Sequence, residues 1–510
     1  MRGMHIHTVD SGLAGPLLPP LPLLLLLFVL VATPSAQAAE APAGMKACRL
    51  AGVEHDAWCG VLKRPLNPAE PQGRQIDLHY AVLPALARNK QPDPVFFFAG
   101  GPGQSAMGLA GSVSRLMARV SNRRDLVLID QRGTGRSAPL ACDQEAPTRP
   151  LAESADPARQ LAQMRVCRAK LERLPHGDLR RFTTTIAMQD ADAVRQALGA
   201  TRVNLVGGSY GTRAALEYMR QFPQAVRRVV IDGVAPPDMV LPASFSMDGQ
   251  HAFDTMLAAC EADPACKARY PALRADWASL LRSLPRQVTV AHPVTGVPET
   301  FALTRDMLLG MVRLPLYAPA LASALPLAIS EGAQGRLAPL LGVAGAMLGR
   351  RSSALAAGMH YSVMCAEDWP RLAQASDAPG ADFGRASAEQ YAQVCTEWPR
   401  GDVPAAFYTV PSAPAATLLL SGGADPATPP RHGQRMAEAL GAKARHVVVA
   451  QAGHGVMGLG CMRDVVFRFI DAASDEAALK VDADCASAIP RPLAFIPVAV
   501  PATPASGARP

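Results

Sequence analysis

The stretch Val203-Asn204-Leu205-Val206-Gly207-Gly208-Ser209-Tyr210-Gly211 runs from an apolar segment of strand length straight into Gly-x-Ser-x-Gly. A helical pattern follows at once, with Ala215, Leu216, Met219 and Phe222 on one face. A serine hydroxyl is a poor nucleophile unless it is held clear of the fold beside a base. A strand–turn–helix does this: the serine sits at a strained apex, and the glycines let neighbouring backbone approach without a Cβ clash. The helix start just behind it favours developing negative charge. The chemistry this suggests is acyl transfer through Ser209.

Acyl transfer also needs a base, an acid to orient that base, and donors for the oxyanion. Where a Gly-x-Ser-x-Gly turn carries the nucleophile, the order along the chain is serine, acid, histidine. Beyond Ser209, the apolar run Thr417–Ser421 leads into Gly422-Gly423-Ala424-Asp425, which puts a carboxylate at a strand's exit. The next strand leads into Gln451-Ala452-Gly453-His454-Gly455, where small neighbours leave the imidazole room to reach the serine. Asp425 and His454 are therefore the expected acid and base. Asp232, after Ile231, is a second strand-end carboxylate; Asp425 is preferred because it follows the long interruption described below. His432, at a helix start, and His446, at a strand's entry, read as structural or surface groups. The oxyanion donors are expected to be the N–H of Tyr210 and one from the Gly100-Gly101 turn, Gly101 first. No Lys-Ser/Thr follows that turn, which argues against a nucleotide loop.

These residues need elements to hold them. Apolar runs at 76–83, 94–99, 125–130, 203–206, 229–231, 417–421 and 446–450 read as strands, several of them continuous enough to be buried on both faces. Helical patterns intervene at 186–198, after Ser209, at 429–440 with Thr428 as its cap, and at 462–472. Strands alternating with helices, with loops gathered at strand C-terminal ends, predict a mostly parallel sheet flanked by helices. The rhythm breaks after Pro236-Pro237, where the chain turns Ala/Leu-rich and helical. The expected organisation is a core of residues 39–236 and 411–488, a helical cap inserted at 237–410, and a Pro/Ala-rich tail at 489–510 without periodicity.

Residues 1–38 read as a secretory signal: Arg2, an apolar stretch from Leu21 to Val31, and the small-x-small site Ala36-Gln37-Ala38. No later segment is long and apolar enough for a membrane span, so no anchor is expected once the signal is removed, and the destination is periplasmic or extracellular. Ten cysteines in an exported chain suggest disulfides, and their order makes five local couples: Cys48–Cys59, Cys142–Cys167, Cys260–Cys266, Cys365–Cys395 and Cys461–Cys485. No Cys-x-x-Cys or His-x-x-x-His cluster supports a zinc site, and neither metal nor cofactor is expected. The net charge of +7 is spread over single or paired residues such as Arg123-Arg124 and Arg227-Arg228, which does not make a nucleic-acid footprint.

Four further motifs join the serine turn. Gly100-Gly101-Pro102-Gly103-Gln104-Ser105, Asp130-Gln131-Arg132-Gly133-Thr134-Gly135-Arg136-Ser137, Gly423-Ala424-Asp425-Pro426-Ala427-Thr428-Pro429 and Gly453-His454-Gly455 occur with it in a fixed order. Together they resemble the prolyl iminopeptidase and tripeptidyl aminopeptidase family of α/β-hydrolases. The resemblance implies the α/β-hydrolase fold, a metal-free Ser209–His454–Asp425 triad, and peptide substrates cut from a free N-terminus. Prolyl iminopeptidases usually carry His where this chain has Ala99, so the resemblance leans to the tripeptidyl branch. A carboxylesterase or lipase-like hydrolase is the alternative on the same scaffold, because a triad does not distinguish amide from ester.

The cap adds one more pattern. Cys365-Ala366-Glu367-Asp368-Trp369-Pro370 and Cys395-Thr396-Glu397-Trp398-Pro399 are near-copies. A Cys365–Cys395 bond would draw Glu367 and Glu397 together, with Asp368 beside them. Paired carboxylates over a serine site would hold a peptide's ammonium group and exclude blocked termini.

Overall fold

The structure is a computed structural model that describes Pro42 and residues 44–143, 148–154, 156–348, 355–410 and 412–498. The expected signal at 1–38 and the end of the tail from 499 on lie outside the described residues. Eleven strands occur among those described: β1 (Lys46–Cys48), β2 (Ala57–Pro65), β3 (Gln75–Leu83), β4 (Val95–Phe98), β5 (Leu126–Ile129), β6 (Val203–Gly208), β7 (Val226–Asp232), β8 (Arg286–Ala291), β9 (Pro298–Leu303), β10 (Thr417–Gly422) and β11 (Ala444–Val449). Nine form one sheet in the order β1-β2-β3-β5-β4-β6-β7-β10-β11. Pairing is antiparallel at the β1-β2-β3-β5 edge and parallel from β5 through β11.

The apolar runs explain the parallel half. Phe96 and Phe98 of β4 enter a core with Val127, Leu205, Val229 and Leu419, while Val95 and Phe97 enter the opposite one with Leu128, Val206, Val230 and Leu418. Helices cover both faces, so both residue sets are apolar and no polar alternation is visible. This is the α/β-hydrolase fold, with a mostly parallel sheet, flanking helices and an inserted helical region. The β8–β9 hairpin is a departure within that insertion: two antiparallel strands interrupt a segment the sequence reads as helical. Its one apolar face, Val288, Val290, Phe301 and Leu303, packs with Phe253, Trp277, Leu308 and Ile329 in the insertion's own core. The described tail is neither helix nor strand, and Phe495 ties it to the insertion by donating to Ser323 and accepting from Tyr270.

All five cysteine couples expected from sequence order are bonded, and no free cysteine remains among the described residues. No helix among them is long and apolar enough to cross a membrane.

One buried pair secures the strand ends. Arg132, fully buried after β5, makes a two-point contact with Asp190 (Nε–Oδ2 2.7 Å, Nη2–Oδ1 3.0 Å) and donates to the carbonyls of Leu66 and Arg181. Asp190→Ala would strand that guanidinium and is expected to cost about 3–5 kcal/mol, read from urea unfolding. A loss below about 1 kcal/mol would show that the pair does not hold this end of the sheet.

Candidate active site

Ser209 lies between β6 and the helix Tyr210–Gln221 with φ 56° and ψ −125°, a conformation a non-glycine residue holds only under constraint from its surroundings. The constraint is close backbone packing. A Cβ at Gly207 would fall 2.2 Å from the Gly211 carbonyl oxygen, and one at Gly211 would fall 2.1 Å from that of Phe98. The Ser209 N–H donates to the Asp232 carbonyl at 2.9 Å, which pins the turn to the next strand. The sheet register brings the other candidates to the same edge: Gly208 pairs with Asp232, Leu420 with Asp232, and Gly422 with Val449.

Asp425 is fully buried just past β10. Its Oδ1 accepts the N–H groups of Ala427 (2.8 Å) and Thr428 (2.9 Å). Its Oδ2 accepts the Thr428 hydroxyl (2.8 Å) and His454 Nδ1–H (2.8 Å). With Nδ1 so engaged, the free nitrogen of the imidazole is Nε2. Thr428 is a site residue the sequence reading missed. The structure starts the following helix at Pro430 with no side-chain cap, and the Thr428 hydroxyl lies between Asp425 and His454 Nδ1 (3.1 Å) instead. The signal was the Asp-x-x-Thr spacing, which fits a carboxylate folding back on its own turn as well as it fits a helix cap.

The rival groups have other occupations. The Asp232 carboxylate accepts the N–H groups of Val456 and Met457 at 2.8 Å each, so it anchors the loop that carries His454. His432 is buried against Asp248 (2.9 Å), and His446 contacts the Ser421 hydroxyl (2.9 Å). Of the two glycines expected to serve the oxyanion, Gly100 lies beside Ser209: a Cβ there would sit 3.2 Å from Ser209 Cβ. Around Gly101 the nearest atoms belong to Gly103, Leu355 and Gln104. The Tyr210 N–H opens its helix, and its phenol is buried against Thr184 Oγ1 (2.6 Å) and Gln131 Nε2 (2.9 Å).

The cap acids do not form the expected clamp. The Cys365–Cys395 bond is present, yet Glu367 and Glu397 point to different partners. Glu367 is fully buried, accepting the Thr184 N–H (2.7 Å) and hydroxyl (3.0 Å), with Arg213 at 3.6 Å. Asp368, also fully buried, takes a two-point contact from Arg213 at 2.9 and 3.1 Å. Glu397 sits at the surface in an ion pair with Arg165 (2.6 Å) and Arg168 (3.6 Å). Buried carboxylates take the nearest cation, and Arg213 on the nucleophile's helix supplies it. Glu367 and Asp368 tie the cap to the helix Tyr210–Gln221 through Arg213, while Glu397 pairs with the helix Pro157–Leu171.

Electrostatics set the protonation of the pair. Burial pushes Asp425 up, but the His454 charge and hydrogen bond and the two backbone donors outweigh it and hold the carboxyl below its usual range. Burial pulls His454 down, while Asp425, with a smaller contribution from Asp232, outweighs that and raises it above 6.5. Burial raises Asp232 to about 6 despite its two backbone donors. His454 thus gains its proton more readily folded than unfolded. The His454 contribution to stability is complete below the unfolded value near 6.5 and is lost as pH rises through the folded pKa, while the Asp425 contribution, its carboxyl being lowered, is lost as pH falls through its folded pKa. Asp425→Asn removes the carboxylate charge and is expected to move the His454 titration, followed by imidazole NMR, to lower pH. An unchanged or higher midpoint would contradict the assignment of cause.

Comparisons with known proteins agree with this fold. Residues 93–300 match the family model for the alpha/beta hydrolase fold, and residues 379–485 match that for TAP-like protein. The chain is 33% identical over 195 residues to a tripeptidyl aminopeptidase of Streptomyces lividans, a match spanning 35% of this chain and 35% of that protein's length. It is 27% identical over 419 residues to serine protease Hip1 of Mycobacterium tuberculosis (75% of this chain, 79% of that one). To carboxylesterase B of the same organism it is 29% identical over 432 residues (76% and 78%). The chain has the α/β-hydrolase fold of serine-hydrolase-type enzymes and resembles the TAP-like and prolyl iminopeptidase branch among them.

Proposed function

We propose that this chain is an exported serine aminopeptidase that uses Ser209, His454 and Asp425 as its triad. The observation that carries the reading is the 2.8 Å contact between His454 Nδ1–H and a fully buried Asp425, at the same sheet edge as a strained Ser209. In this scheme His454 Nε2 takes the hydroxyl proton as Ser209 Oγ bonds to the scissile carbonyl carbon. The N–H of Tyr210 and one from the Gly100-Gly101 turn receive the oxyanion. His454 then passes the proton to the leaving amine, the C–N bond breaks, and water releases the acyl group by the same path in reverse. Five disulfides support an oxidising destination beyond the membrane, consistent with a leader at 1–38.

The preference for a free N-terminus rests on the resemblance to tripeptidyl aminopeptidases, since Glu367 and Glu397 are engaged elsewhere. That same engagement favours carboxylesterase action as the second reading. Turnover of matched free and N-acetylated tripeptide amides, beside short-chain esters, separates them. The peptidase reading expects the free forms to be preferred by about 10-fold or more, the worth of one charge-assisted contact. Equal rates for free and acetylated peptides, with faster ester turnover, would move the esterase ahead. Ser209→Ala is expected to lower turnover of every substrate by about 10⁴-fold or more, and a fully active variant would end both readings.

A further inference from the structure

Among the described residues, Arg313 is a cation placed against the candidate site with no carboxylate paired to it. It lies on the cap helix Arg305–Leu316, one turn before Tyr317, so the two side chains share a face. The end of that helix packs directly on the histidine loop. The Tyr317 carbonyl accepts the His454 N–H at 3.0 Å, and the Tyr317 ring meets the imidazole edge-on with centroids 5.1 Å apart. Gly453 permits the approach, since a Cβ there would fall 2.6 Å from that carbonyl oxygen. The Arg313 guanidinium rests over Tyr317 (5.4 Å to the centroid) and over Phe245 (4.7 Å). Its Nη2 reaches only the carbonyl of Pro426, beside Asp425, at 3.4 Å, and its Nε is buried without a partner.

The neighbouring carboxylates are already committed. Asp248, on the helix against which Arg313 lies at Gly249, is held by Arg431 and His432. Asp377 is held by Arg431 as well. Asp382 accepts from Trp277 and Gln250 and lies 3.9 Å from Arg305. A half-buried guanidinium stacked between two rings loses hydration, and its planar fork matches a carboxylate better than a lone carbonyl. The charge is felt at the imidazole, where Arg313 opposes the upward shift of His454.

We propose that Arg313 is the substrate-carboxylate binding residue of this site, selecting substrates that carry an anionic group close to the bond being cut. The proposal rests on the serine-hydrolase reading for the position of that bond. The carboxylate can belong to the acyl side, as an acidic side chain, or to the leaving side, as a free C-terminus.

Two substrate pairs distinguish these sources: glutamyl against glutaminyl p-nitroanilide, and alanyl-alanine against alanyl-alaninamide. The acidic member of one pair is expected to lead in kcat/KM by about 10- to 100-fold, chiefly through KM, as a charged hydrogen-bonded pair allows. Arg313→Gln should bring that ratio to within about 3-fold of unity, and Arg313→Lys should keep part of it. No preference in the wild-type protein, or a preference that survives Arg313→Gln in a variant with native circular dichroism, would overturn the proposal. Calorimetric titration with glutarate reads the site without turnover. Binding that weakens about 10-fold in Arg313→Gln supports it even if no peptide or ester is hydrolysed, in which case the hydrolase reading alone fails. Where no substrate is turned over, absent or unchanged glutarate binding would remove it.

Discussion

A fully buried carboxylate at the end of β10 is the constraint around which the site is arranged. Asp425 has left water entirely, and an ionised carboxyl in that position is costly unless its oxygens are filled. Two backbone N–H groups, the Thr428 hydroxyl and His454 Nδ1–H fill them. The same contacts choose the imidazole's tautomer and orientation, so a requirement of burial becomes a requirement on the base. The parallel register then does the rest, because β6, β7, β10 and β11 all deliver their C-terminal ends to one edge.

Neighbouring loops must come very close for this to work, and the chain meets that demand in two ways. Small residues remove the steric obstacle: Gly207 and Gly211 let the Ser209 turn pack against neighbouring backbone, including Phe98 of β4, and Gly453 lets the cap helix rest on the histidine loop. Buried charge then holds the pieces in place. Arg213, on the helix that Ser209 begins, binds Asp368 and faces Glu367 from the cap. Burial lifts Glu367 to about 7 even with that cation nearby, which marks how dry the junction is. The cap is therefore joined to the helix Tyr210–Gln221 through Arg213 and to the His454 loop through Tyr317.

Much of this was legible in the residues. Runs such as Phe96–Phe98 and Val229–Ile231 lack polar alternation because helices cover both faces of the sheet, and their alternation with helical segments along the chain points to a parallel core. Ser209, Asp425 and His454 stood out because each follows a strand and has small neighbours, both local properties. What failed was non-local. Cysteine order correctly paired Cys365 with Cys395, but the fate of each glutamate in the Cys-x-Glu repeat depended on cations far away in sequence: Arg213 for Glu367, Arg165 and Arg168 for Glu397. Thr428 was missed because its hydroxyl had two plausible local uses, and the buried carboxylate outcompeted the helix start. The β8–β9 hairpin escaped notice because its short strands sit within an otherwise helical composition.

Covalent trapping tests the central assignment most directly. The mature protein and its Asp425→Asn and His454→Ala variants would be treated with a fluorophosphonate and the adduct mapped by tandem mass spectrometry. A single adduct on Ser209 is expected, with the rate of labelling falling by about 10³-fold or more when His454 is removed, since the nucleophile and base act as a unit. An adduct on a different serine, or undiminished labelling of Ser209 without His454, would contradict the assignment.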